Sequence, residues 1–291
     1  MTRGTKIPIS LFVPCKNEEA KLERCLQSVS WIDEVFVVDS QSTDRTTKIA
    51  QELGATVVQF EYKGRWPKKK NWALENLPFS HEWVLILDAD ECLPTEAEDE
   101  IRKIVSNPNE KHAGYWINRR YFFLGKPLKH AYCPNWNLRL FKHKLGRYEK
   151  ITELNTDSGD NEIHEHVVVQ GTTGKLNSIM DHYAFPSIDS FIEKHNRYSN
   201  WEAVVESSAE DDETALQHDG VKGKRRLRKV FRKLPFRPTL RFLYVYLWQK
   251  GILDGWRGYV FARLHAQYEF LSQAKAKAIL ARRKEARNDS R

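Results

Sequence analysis

The segment WVLILDADE, residues 83–91, decides the fold that the sequence predicts. Its apolar residues 84–87 form an unbroken run, which is typical of a strand covered on both faces inside an α/β sheet. The run stops at two carboxylates, Asp88 and Asp90. In extended backbone, residues two apart point to the same side, so both acids are expected to converge just beyond the carboxyl end of the strand, where open α/β sheets bind ligands.

Two carboxylates in that position suit Mg²⁺ or Mn²⁺, because these ions prefer oxygen donors and complete their shell with water and phosphate oxygens. Asp88 and Asp90 therefore predict a site for a divalent cation and a diphosphate. Alternatively, the acids only begin a turn into the next helix, where Thr95 and Glu98 have the spacing of a capping box. The acids alone leave both interpretations open.

The sequence before this strand alternates between strand and helix patterns. Apolar runs at residues 7–14, 34–38 and 55–62 predict three further strands, each followed by a helical pattern. Strands that alternate with helices form parallel sheets with right-handed crossovers, so their carboxyl ends lie along one edge. We therefore predict an α/β fold in which one ligand can reach residues 14–18, Asp39 and the two acids.

The sequence lacks the usual phosphate-binding loops. No GxGxxG motif follows the first strand and no P-loop motif occurs, so neither a dinucleotide fingerprint nor a P-loop is supported. A phosphate-bearing ligand would need a metal and basic side chains instead, and Lys68, Lys69 and Lys70 are suitable. The alternative is that these lysines form the solvated first turn of a helix over residues 68–77.

Composition predicts a folded protein with reduced thiols. Apolar residues make up 41% of the 291 positions and aromatic residues 12%, enough for a sizeable core. No signal-peptide pattern opens the sequence and no apolar run is long enough to span a bilayer, so we expect a cytoplasmic location. The cysteines have neither CxxC nor disulfide-framework spacing. They are Cys15, Cys25, Cys92 and Cys133.

The positive charge is concentrated near the C-terminus. Residues 222–241 contain ten cations and no acid, against a net charge of +8 for the whole chain. Apolar residues at 240, 243, 244, 247 and 248 follow with helical spacing. A basic segment beside an amphipathic, aromatic-rich helix predicts binding to an anionic membrane surface through residues 222–250. Alternatively, the helix packs by its apolar side on the rest of the protein, and both can hold.

The pattern after residue 107 predicts antiparallel strands. Aromatic and β-branched runs at residues 114–124, 136–142 and 163–170 are separated by Gly, Pro and Asn turns. Residues 187–205 have helical spacing, and the acidic residues 206–220 are poor in apolar side chains, which is typical of a linker.

Several segments, taken together, resemble the family 2 inverting glycosyltransferases, which have a GT-A fold. Those that resemble the nucleotide-sugar-binding half are VPCKNEE (13–19), VVDSQSTDRT (37–46), KKKNWAL (68–74) and LILDADE (85–91). Later segments resemble the branch that adds sugars to lipopolysaccharide core or other bacterial surface glycans, such as the β-1,4-glucosyltransferases of core assembly. They are GYWINRRYFFLGK (114–126), WNLRLFK (136–142), IHEHVVVQG (163–171), DHY (181–183) and, in the tail, LWQKGILDGWRGYVFA (247–262).

The resemblance implies a fold and a domain layout. The fold is a single Rossmann-like, mostly parallel sheet with an antiparallel acceptor-side extension and C-terminal helices. The layout has a GT-A domain at 1–205, with a nucleotide-sugar half at 7–106 and an acceptor half at 107–205, an acidic linker at 206–221 and a basic, membrane-associating tail at 222–291.

The resemblance also implies donor-side roles for single residues. Asp39 would bind uracil or its ribose, Lys70 would approach the diphosphate, Asp88 would sit by the ribose and metal, and Asp90 would be the principal metal ligand. The base pocket would be lined by Pro14, Lys16 and Glu18. Cys15 and Lys16 depart from the aromatic residue that is commoner in the family, which leaves the base contact open.

In an inverting transfer the acceptor hydroxyl loses a proton while a charged nucleoside diphosphate leaves. The metal and Lys70 would stabilise the leaving group, and a carboxylate on the opposite face of the sugar would take the proton. Glu165 matches the base-bearing loop of the family and is the candidate base. The alternative is that Glu165 is the outward residue of an edge strand. His182 could add a metal or phosphate contact or be structural. The acceptor-side candidates are Trp136, Asn137, Arg139 and His164, of which the last could also form a metal pair with His166.

The function that the sequence predicts is metal-dependent transfer of a sugar, from a UDP-sugar, to a lipid-linked or lipopolysaccharide-type acceptor. The enzyme would lie on the cytoplasmic face of the inner membrane. One alternative is transfer to a polyprenyl phosphate, which needs no strong base. Another is a nucleic-acid-binding protein that uses the basic arm, although no RNA- or DNA-binding motif occurs. A nucleotidyltransferase is disfavoured because its Gly-rich basic loop is missing.

Overall fold

The computed structural model describes residues 5–64, 66–149, 166–208, 234 and 236–289. They divide into two compact units. The first contains residues 5–64, 66–122, 134–149 and 166–184, and the second contains residues 123–133, 185–208, 234 and 236–289. The predicted fold class, a mixed α/β sheet followed by C-terminal helices, is confirmed. The predicted domain boundaries stay predictions.

The first unit is built on a mixed sheet. Its helices are α1 (Glu19–Ser28), α2 (Thr46–Glu52), α3 (Lys69–Asn76) and α4 (Glu96–Val105). The strands that enter it are β1 (Ile7–Cys15), β2 (Ile32–Asp39), β3 (Thr56–Gln59), β4 (Trp83–Ile86), β5 (Glu91–Cys92), β6 (His112–Phe123), β8 (Trp136–Lys142) and β11 (Thr172–Phe185). Their order is β3-β2-β1-β4-β8-β6-β11-β5. A two-stranded sheet pairs β9 (Gly146–Tyr148) with β10 (Val167–Val169), and β7 is Lys126–Pro127.

The strands β3, β2, β1 and β4 are parallel, as the alternating pattern predicts. Cys15 pairs with Asp39 across β1 and β2, and Phe12 pairs with Ile86 across β1 and β4. The strand ends that carry the predicted site therefore lie along one edge of the sheet. Beyond β4 the sheet turns antiparallel, since β8 runs against β4 and β6 against β8.

The apolar run in and after β4 is fully buried, as predicted. Val84 and Ile86 belong to one core cluster, and Leu85 and Leu87 to the cluster on the opposite face, all with no exposed surface. Burial of side chains of this size contributes about 1.5–3 kcal/mol each. Because consecutive residues enter different clusters, β4 is covered on both faces.

The backbone after β4 differs from the prediction. The strand ends at Ile86, and a turn closed by a 2.8 Å hydrogen bond from the amide of Glu91 to the carbonyl of Asp88 follows it. The extended geometry predicted for Asp88 and Asp90 is therefore wrong, and the two side chains have different partners. The predicted capping box is wrong too, because Thr95 makes no side-chain capping hydrogen bond at the start of α4.

The second unit is helical. Its elements are α5 (Ile188–Ser208), α6 (Arg237–Leu243), a π-helical turn (Tyr244–Trp248), a 3₁₀ turn (Gly251–Asp254) and α7 (Gly255–Asp289). Arg237 joins them, since it is 2% exposed and bonds the carboxylates of Glu206 and Glu269. The predicted linker therefore begins in helix, and its residues 209–221 lie outside the described residues. None of the helices in the described ranges has the length and hydropathy needed to cross a bilayer.

Candidate functional site

The carboxylate of Asp88 is held by two cations. Lys70 Nζ lies 2.8 Å from Oδ1, and the guanidinium of Arg139 lies 2.6 Å from Oδ2. Burial raises the pKa of this carboxyl, but Arg139 and Lys70 lower it by more, so that the pKa of Asp88 ends well below its ordinary value. Asp88 is therefore an anion at neutral pH, with both oxygens engaged.

Arg139 reaches Asp88 because β8 contains a bulge. Tyr115 of β6 pairs with Leu140 and Trp116 pairs with Leu138, which leaves Arg139 without a partner residue across the two strands. Leu138 and Leu140 accordingly enter opposite core clusters although they are two residues apart. Bulges next to functional sites redirect a side chain in this way. The alternation of WNLRLFK gave no sign of the bulge.

Glu91 links this cluster to the backbone, and sequence reasoning missed it. It has no exposed surface, and one carboxylate oxygen accepts hydrogen bonds from Arg139 at 2.5 Å and Arg119 at 3.1 Å. The other oxygen accepts the amide N–H of Asp88 at 2.9 Å. Glu91 therefore fixes both Asp88 and Arg139. Its position directly after the two aspartates was the one available signal.

Asp90 lies next to His182, a residue of strand β11. The two-residue strand β5 pairs with β11 so that His182 lies opposite Glu91, and the amide of Tyr183 donates to the carbonyl of Asp90 at 2.7 Å. This register places His182 Nε2 3.1 Å from Asp90 Oδ1, with side chains only 8% and 7% exposed. The DHY motif therefore meets the DAD motif.

His182 is a neutral imidazole at neutral pH. Burial lowers its pKa, and the opposing effect of Asp90 does not restore the ordinary value. Its Nδ1 atom is buried and has no hydrogen-bond partner within the described part of the chain. A neutral imidazole is the form that binds metals. Asp90 and His182 thus offer one oxygen and one nitrogen donor side by side.

These donors fit a divalent cation that keeps most of its shell for ligand and solvent. Within the described ranges there is no cluster of three or more His, Cys, Asp or Glu side chains that could hold a metal by itself. Two protein donors suit Mg²⁺ or Mn²⁺, since such ions are commonly completed by substrate phosphates and water. The predicted ligands Asp90 and His182 lie together, whereas Asp88 lies beside them in its contacts with Lys70 and Arg139.

The lysines that precede α3 are not a solvated helix turn. Lys68, Lys69 and Lys70 are 6%, 1% and 7% exposed, so the solvated alternative is wrong. Lys69 Nζ donates to the carbonyl of Cys15 at 2.9 Å, which ties the start of α3 to the end of β1. Burial raises the pKa of the Cys15 thiol well above its usual range, and the thiol is therefore not an activated nucleophile.

The loops that follow β1 and β2 are joined side by side. The amide of Asn17 donates to Ser42 Oγ at 2.8 Å, and Asn17 Oδ1 accepts from the amide of Thr43 at 2.8 Å. Of the residues predicted to line a base pocket, Pro14 is half-buried and Lys16 is exposed. The carboxylate of the third, Glu18, pairs with Lys21 at 2.9 Å.

Asp39 ends β2 and has no exposed surface. Its carboxylate accepts from the hydroxyl and amide of Ser42, at 2.5 and 3.0 Å, and from Gln59 Nε2 at 3.0 Å. Contact with a uracil or ribose would need Ser42 or Gln59 to exchange its hydrogen bond. The base-binding role of Asp39 stays a prediction.

The remaining candidates lie on the acceptor side of the sequence. Trp136 is half-buried, with Lys175 Nζ 4.7 Å from the centre of its ring. Asn137 Nδ2 donates to the backbone carbonyl of Asn135 at 3.1 Å. Arg139 lies with Asp88 and Glu91, as described above. Glu165 and His164, the predicted base and its neighbour, lie outside the described residues.

The comparison with known proteins decides the family. The model of glycosyl transferase family 2 matches residues 10–161 of the chain. The chain belongs to this family. A glycosyltransferase of Rickettsia typhi is 35% identical over 199 residues, which are 67% of this chain and 66%, just under two thirds, of the relative. The lipopolysaccharide core biosynthesis glycosyltransferase LpsC of Rhizobium meliloti is 30% identical over 285 residues, 93% of this chain and 92% of LpsC.

This family 2 glycosyltransferase also resembles a solved structure in its fold. The mannosyltransferase PcManGT of Pyrobaculum calidifontis, solved with GDP-Man and Mn²⁺, matches 94% of this chain with a TM-score of 0.51. The match covers 88% of that chain at 15% identity. This match confirms the prediction of a GT-A-like fold. The family model and the relatives confirm the predictions of family 2 and of a glycosyltransferase. The stereochemical course, donor, acceptor and metal stay predictions.

Proposed function

We propose that this family 2 glycosyltransferase uses a divalent cation to transfer a hexose, with inversion, from a UDP-sugar to a lipopolysaccharide-type or other lipid-linked glycan. The observation that carries the proposal is the pair formed by Asp90 and His182, 3.1 Å apart. Beside this pair, Asp88 is held between Lys70 and Arg139. The pair and the cations stand where the strand ends of an α/β sheet bind ligands.

Asp90 and His182 would hold the cation, which supplies charge stabilisation for the departing diphosphate when bound. The imidazole donor favours Mn²⁺ over Mg²⁺, because Mg²⁺ is bound mainly through oxygen ligands whereas Mn²⁺ tolerates nitrogen better. Lys70 would move towards the diphosphate, and Arg139 would keep Asp88 in place when Lys70 leaves it. Asp88 would then accept a hydrogen bond from the ribose.

The nucleoside would lie against the joined loops after β1 and β2. The base pocket would be lined by Pro14, Lys16 and Glu18. Asp39 would contact the uracil or its ribose after Ser42 or Gln59 gives up its hydrogen bond to the carboxylate. The rigid connection between Asn17 and the second loop supports a preformed wall, since a preformed pocket lowers the ordering cost of binding.

The acceptor hydroxyl would lose its proton to Glu165. This carboxylate matches the family's base-bearing segment in sequence, and a positioned general base contributes about 10²–10⁴-fold to such a step. A polyprenyl phosphate acceptor would need no strong base, so Glu165→Gln separates the two acceptor classes. A large loss of turnover is expected for the hydroxyl acceptor, and full activity of this variant would favour the phosphate.

The acceptor assignment is supported by LpsC, whose name places it in lipopolysaccharide core biosynthesis and which aligns with 93% of this chain. Trp136, Asn137 and His164 would face that glycan. A lipid-linked acceptor would place the enzyme on the cytoplasmic face of the inner membrane.

A donor-release assay tests the proposal. Purified protein is incubated with a panel of UDP- and GDP-sugars in Mn²⁺, in Mg²⁺ and in a chelator, and the freed nucleotide is measured. We expect hydrolysis of one UDP-sugar that requires metal and is faster with Mn²⁺. Release that is equal in the chelator, or absent with every donor, would contradict the proposed metal-dependent transfer.

A further inference from the structure

The second unit exposes a cluster of large apolar side chains. Residues 247–256, named here the 247–256 corner, comprise the end of the π-helical turn, the 3₁₀ turn and the start of α7. Five of these ten residues are large, apolar and at least 48% exposed, whereas isolated exposed apolar residues are the norm on a soluble surface. They are Leu247 (53%), Trp248 (80%), Ile252 (48%), Leu253 (63%) and Trp256 (57%).

The corner is held in a defined shape by close backbone contacts. A Cβ added at Gly258 would lie 1.8 Å from the carbonyl oxygen of Gly251, and one added at Gly251 would lie 2.7 Å from that of Val245. Only glycine permits these approaches. Asp254 accepts the backbone N–H groups of residues 129, 130 and 131 at 2.8–3.1 Å. The apolar side chains are therefore displayed on a folded, anchored segment.

The charge around the corner is positive. Lys250 is exposed inside it, and the guanidinium of Arg257 lies 4.9 Å from the ring centre of Trp256. Asp254 is the only acid between residues 222 and 268, and its side chain is 5% exposed and bonded to backbone amides. Residues 222–233, which lie outside the described residues, carry eight cations and no acid in the sequence.

We propose that the 247–256 corner docks the protein on an anionic lipid surface, with Trp248, Leu253 and Trp256 inserted at the boundary between headgroups and acyl chains. Tryptophan favours that boundary, because its ring is apolar and its N–H is polar. Cations beside the inserted rings face the lipid phosphates, and each contributes about 1 kcal/mol near such a surface. A protein partner would have to be both apolar and acidic, whereas an anionic membrane has both properties everywhere.

This inference sharpens the sequence-based expectation, which placed membrane contact in residues 222–250. Of the five predicted apolar positions, Leu240 is half-buried and the other four, at 243, 244, 247 and 248, are exposed. The exposed apolar surface also continues past Lys250 to Trp256. The inference deepens the proposed function and rests on it in one respect, that the acceptor is lipid-linked.

Vesicle cosedimentation of the full chain tests the docking surface. Phosphatidylcholine vesicles are compared with vesicles that also contain phosphatidylglycerol, for the wild type, the triple variant Trp248→Ser/Leu253→Ser/Trp256→Ser and the control Phe270→Ser. Phe270 is 57% exposed on α7 outside the corner, so the control removes one apolar side chain that is as exposed as Trp256. Circular dichroism and thermal melting establish that each variant folds.

We expect the wild type to bind the anionic vesicles preferentially and more weakly at high salt. The triple variant should bind them at least about tenfold more weakly, since three inserted side chains are lost, and Phe270→Ser should change binding less than about twofold. Brominated acyl chains should quench the tryptophan fluorescence of the wild type more than that of the folded Trp248→Phe variant.

The proposal would be overturned if the wild type did not bind anionic vesicles, or if the triple variant bound them equally well. It would also be overturned if the wild type formed a dimer that the triple variant does not form, and neither protein bound vesicles. Vesicle binding needs no sugar donor. Failure of the donor-release assay with intact vesicle binding would therefore reject the proposed chemistry alone, and the reverse outcome would reject the docking surface alone.

Discussion

Two clusters of side chains, one in each unit, hold ionisable groups in opposite ways. In the first unit, Asp88 and Glu91 each form an ion pair with Arg139. In the second, His195 and His265 lie among aromatic rings, and burial lowers the pKa of each, to about 4 for His195. Paired charges stay ionised when the pH changes, but removal of any partner leaves a buried charge unpaired. Buried neutral imidazoles need no charged partner, but acid destabilises the fold around them because the unfolded chain takes up the proton. The first arrangement suits a site that must hold a charged ligand.

The largest expected effect concerns Asp90, the acid in the first unit that faces a neutral imidazole. Asp90→Asn should lower kcat/KM for donor release by about 10³-fold, because stabilisation of the leaving diphosphate by the cation is worth several kcal/mol. Thermal stability should change little. Steady-state kinetics at saturating Mn²⁺ check this, and an Asp90→Asn enzyme within tenfold of wild type would remove Asp90 from the proposed mechanism.

Arg139 tests the dependence of the first unit on complete pairing. Arg139→Leu leaves the fully buried Glu91 and the half-buried Asp88 beside an apolar side chain, which should lower the free energy of unfolding by about 3–4 kcal/mol. The matched control is Arg120→Leu, because Arg120 pairs with Asp181 at 2.7 Å but is 34% exposed. The control should cost about 1 kcal/mol or less. Equal losses for the two variants, measured by denaturant unfolding, would contradict the distinction.

His195 tests the acid sensitivity of the second unit. Its pKa of about 4 when folded lies below the ordinary value near 6.5, so the unfolded chain takes up a proton first as the pH falls. The contribution of His195 to the free energy of unfolding is present in full above about pH 6.5. It is lost as the pH falls from about 6.5 to about 4, by about 3 kcal/mol at most. His195→Phe, at a position that already stacks on Phe191 at 3.7 Å, should flatten this part of the profile. Denaturant unfolding at several pH values gives the comparison, and parallel profiles would contradict it.

The smallest expected effect concerns His182, which combines both kinds of burial because a neutral imidazole there contacts an acid. His182→Ala should raise the Mn²⁺ concentration needed for half-maximal donor release by about 10–100-fold, and kcat should recover at high Mn²⁺. His112→Ala removes a half-buried imidazole elsewhere in the unit and serves as the control. An unchanged metal requirement in His182→Ala would make that histidine structural.

Local patterns predicted the elements and their edge, because burial on both faces leaves a visible mark at residues 84–87. They failed where one residue changed the geometry. A turn replaced the expected extension at Asp88, a bulge at Arg139 reversed an alternation, and Lys69 was buried against a carbonyl that only the fold supplies. The role of Glu91 could not be predicted, because its partners come from strands that are distant in the sequence.

The pairing of β5 with β11 has a consequence for how this enzyme differs from others of its family. The segment that the family model matches, residues 10–161, contains Asp90 but ends before His182. The carboxylate of the proposed metal pair therefore lies inside the matched segment and the imidazole outside it. In the proposed mechanism, the preference for one ion over another would depend on a stretch of chain that the family model does not match.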